Sequence, residues 1–333
     1  MSYGANVNSA AILLSFFGNA PIERTAHVME ALLGAKVSSG FVARAHERFD
    51  ERLVAAGFDE AMRAALRAED VLCGDESPVN VLCKDRDEVS GEPKAGQPHA
   101  VVIRTPDARL VWLAPIGART KDALKGLDVL SGWRGVFVRD DYKGWQQFDA
   151  DLGGVQQCVQ HLLRHLQEVA DLHPTWQKWA TDVQQVLREA NQAVLAALAD
   201  GRNQLDPDLL ADLRERYDQA VNWGEITNRH RDWHEGNHPG YVLARRLADK
   251  AEQVWTFTRN LAAPWTNNAS EQTLKGPKRH QAVSGYWHTM ATLGRYLRVH
   301  SYLTTAKGHG IRALDAIHAT LVGRPWLPTP VTA

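Results

Sequence analysis

The sequence predicts an α/β protein in which a mixed sheet is flanked by helices, with an N-terminal helical region and a helical insertion late in the chain. Short β-branched runs bounded by Gly, Pro and Asp occur between residues 71 and 158. On both sides of them, apolar residues recur at helical spacing instead. With 333 residues, 44% of them hydrophobic, the chain is long enough to bury a sizeable core.

Residues 1–70 are predicted to form an N-terminal helical region. The stretch IERTAHVMEALLG has apolar residues at helical spacing and ends at Gly34, and Ser38 or Ser39 can cap the helix that follows. Helix, glycine turn and helix predict a plain helical hairpin. The alternative is a DNA-reading pair of helices, whose outward side chains would be Arg44, His46 and Arg48.

Residues 71–171 are predicted to form the first part of the core. Five segments have strand character, and the pair around Pro106–Asp107 predicts a hairpin. The segments are VLCGDESPVNVLC, HAVVIRT, ARLVWLAP, GVFVRDD and GGVQQC, and the helical stretch VQHLLRHLQEVADL follows them. The order predicts a sheet of about five strands that is antiparallel at first and then joined by crossover segments.

Residues 172–258 are predicted to be a helical insertion, after which residues 259–333 complete the core. We expect helices to end at Gly201 and Gly224, and Asp206 to cap a helix that begins at Pro207. Most tryptophans of the insertion are expected in its core, with base stacking as the alternative. These tryptophans are Trp176, Trp179, Trp223, Trp233 and Trp255.

Positive charge is concentrated after one acid near the C-terminus. The whole chain is balanced, with 38 Lys+Arg and 39 Asp+Glu, but no Asp or Glu occurs from Gln272 to Leu314, directly after Glu271. This segment predicts a site for a polyanion such as a phosphodiester backbone, and a solvated basic helix face is the alternative. The expected DNA contacts are Lys275, Lys278, Arg279, Arg295 and Arg298.

Three carboxylates are candidates for chemistry on phosphate. Asp75 is expected at the close of the first strand and Asp140 at the close of the fourth. Each has an acidic neighbour, and only one member of each pair can line a given site, because successive strand side chains point to opposite faces. Glu271 completes the set, although the spacing from Asn268 also fits a helix-capping pair. Carboxylate oxygens of this kind suit Mg²⁺.

The three cysteines of the chain are too few and too scattered for a zinc site or a disulfide framework. Cys73, Cys83 and Cys158 form no C-x-x-C pair, which predicts reduced thiols in a cytosolic protein. The longest apolar stretch near the start, Ala10 to Gly18, is far too short for a membrane span.

Several stretches match a known family in order along nearly the whole chain. They are GDESPVNV, GVFVRDDYKGWQQF, VQQCVQHLLRH, NNASEQTLKGPKRHQAVSGYWHT, SYLTTAKGHGIRALDAIHA and GRPWLP. With them the chain resembles the transposases of the insertion-sequence-66 family, bacterial enzymes of the Asp-Asp-Glu type with a ribonuclease-H-like core. The resemblance implies that Asp75, Asp140 and Glu271 are the catalytic acids and the metal ligands.

The resemblance also implies a DNA transposase with two Mg²⁺ ions, Mn²⁺ being an alternative, that cleaves element ends and joins them to target DNA. Its implied partners are DNA, further copies of the chain on DNA and accessory proteins of the element, with no membrane. Longer members carry an additional region before the pair that is Tyr3–Gly4 here. The alternatives are therefore a truncated or non-catalytic DNA- or partner-binding derivative, and a nuclease on the same core that cleaves without joining.

Overall fold

A computed structural model describes residues 3–83 and 96–330. The helices, numbered in chain order, are α1 (Ala5–Phe16), α2 (Ile22–Leu33), α3 (Ser39–Ala55), α4 (Phe58–Arg67), α5 (Lys121–Lys125), α6 (Val159–Leu172), α7 (Lys178–Ala199), α8 (Pro207–Asn228), α9 (Pro239–Asp249), α10 (Ala251–Val254), α11 (Thr256–Arg259), α12 (Asn268–Ser284), α13 (Met290–Gly308) and α14 (Ala313–Leu321). The strands are β1 (Val71–Pro78), β2 (Val81–Cys83), β3 (His99–Arg104), β4 (Val111–Ile116), β5 (Val136–Arg139), β6 (Gly154–Gln157) and β7 (Trp287–Thr289), and a short 3₁₀ helix spans Trp145–Phe148. Along the described ranges, no helix is both long and apolar enough to cross a membrane.

The main sheet has five strands in the order β4-β3-β1-β5-β6 and is flanked by helices. β1 pairs antiparallel with β3, and β3 with β4, whereas β5 and β6 run parallel. This confirms the predicted α/β class, the five strands and the change from antiparallel to crossover connections. The sequence did not predict the small second sheet, in which β2 pairs parallel with β7.

Contacts between residues divide the chain into two compact units. The first unit comprises Met1–Gly135, Lys143–Asp151 and Ala269–Ala333, and the second comprises Val136–Tyr142 and Leu152–Asn268. These units follow spatial contacts, whereas the segments 1–70, 71–171, 172–258 and 259–333 follow the chain. The segment boundaries therefore stay a prediction.

In the first unit, helix α13 covers the backbone of the edge strand β4. The Leu113 amide donates to Ser301 Oγ (2.7 Å), and the Val111 amide donates to Thr305 Oγ1 (3.1 Å). The Thr305 hydroxyl donates back to the Val111 carbonyl at 3.0 Å. An uncovered strand edge is a template for pairing with other chains, and two hydroxyls one helical turn apart fill that edge here.

Helices α1, α2 and α3 of the first unit share a small apolar core, and the choice between a plain helical hairpin and a DNA-reading pair stays a prediction. Ser38 is the residue that caps α3, with its side chain accepting from the Phe41 amide at 3.2 Å. The His46 ring lies 4.8 Å from the Phe16 ring, and Arg48 donates to Asn8 at 2.6 Å. Two of the three side chains proposed for DNA reading therefore contact other helices.

The second unit has its own hydrophobic core, built from α6 to α11 around residues such as Trp179, Leu187 and Tyr217. Asp206 caps α8 as predicted, because its Oδ1 accepts from the Asp208 and Leu209 amides at 2.9 and 3.0 Å. Proline at the first position of α8 adds to this start signal.

The expected helix end at Gly224 is wrong. α8 continues through Gly224 to Asn228, and a Cβ at position 224 would overlap the Trp179 ring. The glycine therefore provides a close approach between α8 and α7 rather than a helix end, and packing overrides its weak helix propensity.

The expectation that most tryptophans of 172–258 are buried is also wrong. Trp179 and Trp255 are buried, whereas Trp176 and Trp223 are 52% and 60% exposed, and Trp233 is half-buried. The inward face of α8 is defined by residues 213, 217, 221, 224 and 228, and position 223 falls outside it. The position on the helix, not the residue type, decides burial.

We expect Gly224→Ala to destabilise the second unit by about 1–3 kcal/mol, because the added methyl forces the Trp179 ring to move in a close-packed core. The measurement is the urea midpoint followed by tryptophan fluorescence. The matched control is Gly40→Ala on exposed α3, where the methyl meets nothing closer than 3.8 Å. An equal midpoint for the two variants would contradict the packing role of Gly224.

Candidate active site

Asp75 lies in the first unit and within strand β1, not at its end as predicted. It is the fifth residue of Val71–Pro78 and faces Val102 of β3 in the antiparallel register. Its half-buried carboxylate accepts from the Glu76 amide at 2.9 Å. The expectation was wrong because pairing with β3 extends the strand through Gly74 and Asp75, which are residue types that favour turns in isolation.

The neighbouring acid, Glu76, has a structural role. Its side chain is 1% exposed and forms an ion pair with Arg119, and its Oε2 accepts from Trp145 Nε1 at 2.6 Å. Consecutive strand residues point to opposite faces, so Asp75 is on the other side of the sheet. Of the two acids at this position, Asp75 is therefore the candidate for chemistry.

Asp140 lies in the second unit and directly follows β5, as predicted. Arg139 pairs with Gln157 in the parallel register, and the Cys158 amide donates to the Arg139 carbonyl at 2.8 Å. Asp140 is thus at the carboxyl end of two parallel strands. Its Oδ1 accepts from the Tyr142 amide at 3.0 Å, which forms a tight turn.

Asp141, the other acid of this pair, is compensated by cations. Lys250 donates to its carboxylate, and the buried Arg139 guanidinium lies 4.0 Å away. Within the described ranges, in contrast, no Lys or Arg side chain pairs with the Asp140 carboxylate. The two acids therefore have different environments: Lys250 compensates Asp141, whereas the Asp140 carboxylate accepts from a backbone amide.

Glu271 lies in the first turn of α12, in the first unit. Arg104, at the end of β3, holds this turn: its Nη1 donates to the Ala269 carbonyl at 2.9 Å and to Thr273 Oγ1 at 3.0 Å. Arg104 is only 7% exposed, and burial lowers the pKa of its guanidinium. It therefore acts as a clamp between the sheet and the helix that carries Glu271.

The residues that precede α12 are held in the second unit. The Asn267 amide donates to Cys158 Sγ at 3.2 Å, and the Val159 amide donates to the Trp265 carbonyl at 2.9 Å. Buried Cys158 is thus an acceptor at the start of α6. This contact fixes the chain four residues before Glu271.

The predicted DNA-binding residues fall into two groups. Lys275, Lys278 and Arg279 are exposed on α12. Arg298 instead pairs with Asp50 and Asp59, both at 2.6 Å, and Arg295 lies 3.4 Å from Glu47. The two arginines of α13 are thus bound to acids of α3 and α4, and their expected contact with phosphate stays a prediction that these ion pairs oppose.

Sequence reasoning missed the residues that support the candidate acids. Arg104 binds the first turn of α12, Arg119 neutralises Glu76, and Lys250 neutralises Asp141. Each of the three comes from a different part of the chain. One signal was available for Arg104, which ends the otherwise apolar strand HAVVIR. A charged residue in such a strand is almost never buried without partners.

Of the three candidate acids, Asp75 thus lies within a strand, Asp140 directly after a strand and Glu271 in the first turn of a helix. The family model described as "Transposase IS66 family", which represents the sequences of a protein family, matches residues 1–293 of the chain. The chain therefore belongs to this family of transposases, and the ribonuclease-H-like core fits the observed sheet. No curated protein matches the sequence.

We expect Arg104→Gln to loosen the first turn of α12 by about 1–3 kcal/mol, because it removes the charged donor to the half-buried Ala269 carbonyl, which keeps only the Thr273 hydroxyl as a side-chain donor. Hydrogen exchange followed by mass spectrometry should show faster exchange of the amides of residues 269–276. Arg312→Ala is the control, since it removes only an exposed pair with Asp315. Unchanged exchange in α12 would show that Arg104 does not hold the helix.

Proposed function

We propose that the chain is a metal-dependent DNA transposase that cleaves the ends of a mobile element and joins them to target DNA. The observation that carries the proposal is the family match over residues 1–293. Two local findings support it: at both acidic pairs, Asp75–Glu76 and Asp140–Asp141, the second acid is compensated by a basic side chain. The first acid of each pair, Asp75 or Asp140, is the one that we propose for the chemistry.

Asp75, Asp140 and Glu271 would hold the metal. The donor set fits Mg²⁺, or Mn²⁺ as the alternative, because these ions take carboxylate oxygens together with water and substrate phosphate oxygens. Asp140 fits best on local grounds, since its carboxylate has a single backbone donor and no paired cation among the described residues. Two ions would supply an activated attacking oxygen and stabilise the leaving oxygen at phosphorus.

The proposed reaction has two balanced steps. In the first, a water oxygen loses a proton and bonds to phosphorus at the element end, and the bond from phosphorus to the 3′ oxygen breaks. The 3′ oxygen takes up a proton, which leaves a 3′-hydroxyl on the element and a 5′-phosphate on the flanking strand. In the second, this 3′-hydroxyl loses its proton and bonds to a target phosphorus, and the 3′ oxygen of the target strand leaves and takes up a proton. In both displacements, metal ions held by the carboxylates would stabilise the attacking and leaving oxygens.

The cations of α12 would hold the DNA strand beside Glu271. At about 100° per residue, Glu271, Lys275 and Lys278 lie on one face of the helix, and Arg279 lies about 80° away from it. A phosphate backbone held by the exposed lysines therefore passes along the face that carries the acid. Phosphate contacts of this kind give affinity without sequence preference.

We expect Asp75→Asn, Asp140→Asn and Glu271→Gln each to lower Mg²⁺-dependent cleavage of labelled element ends by more than about a hundredfold. Groups that only orient a metal ligand already cost about 10–100-fold when removed, and these residues are the proposed ligands themselves. Asp141→Asn is the matched control, because its carboxylate is bound to Lys250, and it should retain cleavage. A Glu271→Gln variant that still cuts would exclude Glu271 from the site.

The same substrate tests the joining step. Labelled element ends are incubated with a supercoiled target, and joined products are separated from cleaved ends by gel electrophoresis. We expect joined products from the native chain. Cleaved ends without joined products would show a nuclease instead, and binding without either product would show a non-catalytic derivative.

We expect Lys275→Ala and Lys278→Ala each to reduce the salt slope of duplex binding by about 1, because one fewer counterion is released per lost phosphate contact. Arg298→Ala should leave this slope unchanged and instead lower the unfolding midpoint, since Arg298 is paired with Asp50 and Asp59. The measurement is fluorescence anisotropy across a salt series. A slope change for Arg298→Ala alone would place DNA on α13 rather than on α12.

A further inference from the structure

A concave pocket lies beside α12 in the first unit, and none of the three candidate acids is among its lining residues. It has a volume of about 320 Å³ and is formed by the end of α1, one side of α12 and one side of α13. Its lining residues are Phe16, Phe17, Asn19, Gly276, Arg279, His300, Leu303, Thr304 and Lys307. This volume is at the lower end of the range for small-molecule sites.

The charge of the pocket is positive and uncompensated. Arg279 and Lys307 are both exposed, no acid lines the pocket, and within residues 3–83 and 96–330 neither cation forms an ion pair. Two cations that converge on a hollow without an acid favour an anionic group such as a phosphate. Arg279 extends the row of α12 cations, so the pocket opens next to the proposed DNA strand.

One wall of the pocket is aromatic. Phe17 is 48% exposed and follows α1 directly, and Phe16 stacks on Tyr296 behind it at 5.5 Å. The loop that bears Asn19 is fixed to the end of α12, because Ser284 donates to the Asn19 carbonyl at 3.2 Å. A flat apolar ring and an amide beside two cations are complementary to the parts of a nucleotide: base, base edge and phosphate.

The floor of the pocket is a neutral histidine. Burial, together with the nearby Arg279 charge, lowers the pKa of His300 to about 4, so the ring is uncharged at neutral pH. His300 Nδ1 lies 3.2 Å from Thr304 Oγ1, and a Cβ at Gly276 would come within 2.7 Å of Nε2. Glycine at position 276 therefore allows the ring to sit against α12 and keeps the hollow open.

From this combination we infer that the pocket binds a single unpaired nucleotide of DNA, with the base against Phe17 and the phosphate between Arg279 and Lys307. The inference rests on the proposed function, because DNA must lie along α12 for a nucleotide to reach the pocket. Arg279 is eight residues after Glu271, or about 12 Å along the helix axis. A strand at Glu271 can thus place a nucleotide a few positions away into the hollow. Fully paired DNA presents no such free base.

The test compares two single-stranded oligonucleotides that differ only in their bases. One carries normal bases, and the other is abasic at the same positions, so both present the same phosphates. We expect the native chain to bind the normal strand about tenfold more tightly, which is the scale of one base stacked on an aromatic ring. Fluorescence anisotropy measures both, with a duplex of the same sequence as a third ligand.

Two variants separate base from phosphate. Phe17→Ala should abolish the difference between normal and abasic strands and leave duplex affinity unchanged, whereas Lys307→Ala should weaken both single strands. Leu32→Ala, at an exposed apolar residue of α2, and Lys125→Ala, at an exposed lysine of α5, are the matched controls. Equal binding of the normal and abasic strands by the native chain, or a difference that survives Phe17→Ala, would overturn the inference.

The outcome is distinguishable from failure of the proposed function. If the native chain prefers the base-bearing strand through Phe17 but does not cleave element ends, the nucleotide pocket stands and the transposase chemistry falls. If cleavage depends on Glu271 but the base preference is absent, the pocket falls and the chemistry stands. Inorganic phosphate is the remaining probe. If inorganic phosphate and the abasic strand are equally effective in displacing the base-bearing strand, the pocket recognises phosphate alone and the inference is wrong.

Discussion

A carboxylate that is taken out of water must be compensated by a cation or by hydrogen-bond donors, since its desolvation costs several kcal/mol. This requirement sorts the paired acids of the chain. Glu76, with a side chain 1% exposed, is compensated by Arg119 and Trp145, and Asp141 by Lys250. Because each is compensated, Glu76 and Asp141 can stand next to the proposed catalytic acids Asp75 and Asp140 in the chain.

The same helix carries both the third acid and the proposed binding residues. Glu271, the exposed lysines and one wall of the nucleotide pocket all belong to α12, so their spacing is fixed by helix geometry rather than by loops. Arg104 fixes the first turn of this helix to the end of β3. A displacement of α12 would consequently move the acid and the DNA contacts together.

Local signals predicted much of the fold. The β-branched runs predicted the five strands, and the Asp206–Pro207 pair predicted the start of α8, because both depend on neighbours in sequence. The predicted ends of strands and helices were wrong where residues distant in sequence determine the local structure. Pairing with β3 places Asp75 inside a strand, and the Trp179 ring keeps Gly224 inside a helix. The clamp Arg104 could not be assigned from sequence, because its partners are far along the chain.

The distribution of charge could not be predicted from sequence either, because ion pairs form between residues that are distant in the chain. The acid-free segment from Gln272 to Leu314 is uncompensated only along the sequence, because Arg295 and Arg298 meet Glu47, Asp50 and Asp59 in space. Those pairs fix α13 to the N-terminal helices and reduce the charge that the segment presents to a ligand. Three cations stay exposed on α12, and the last of them, Arg279, lines the pocket together with Lys307 of α13. The acids of α3 and α4 thus reduce the positive charge that α13 presents by engaging Arg295 and Arg298, whereas Lys307 of the same helix stays exposed.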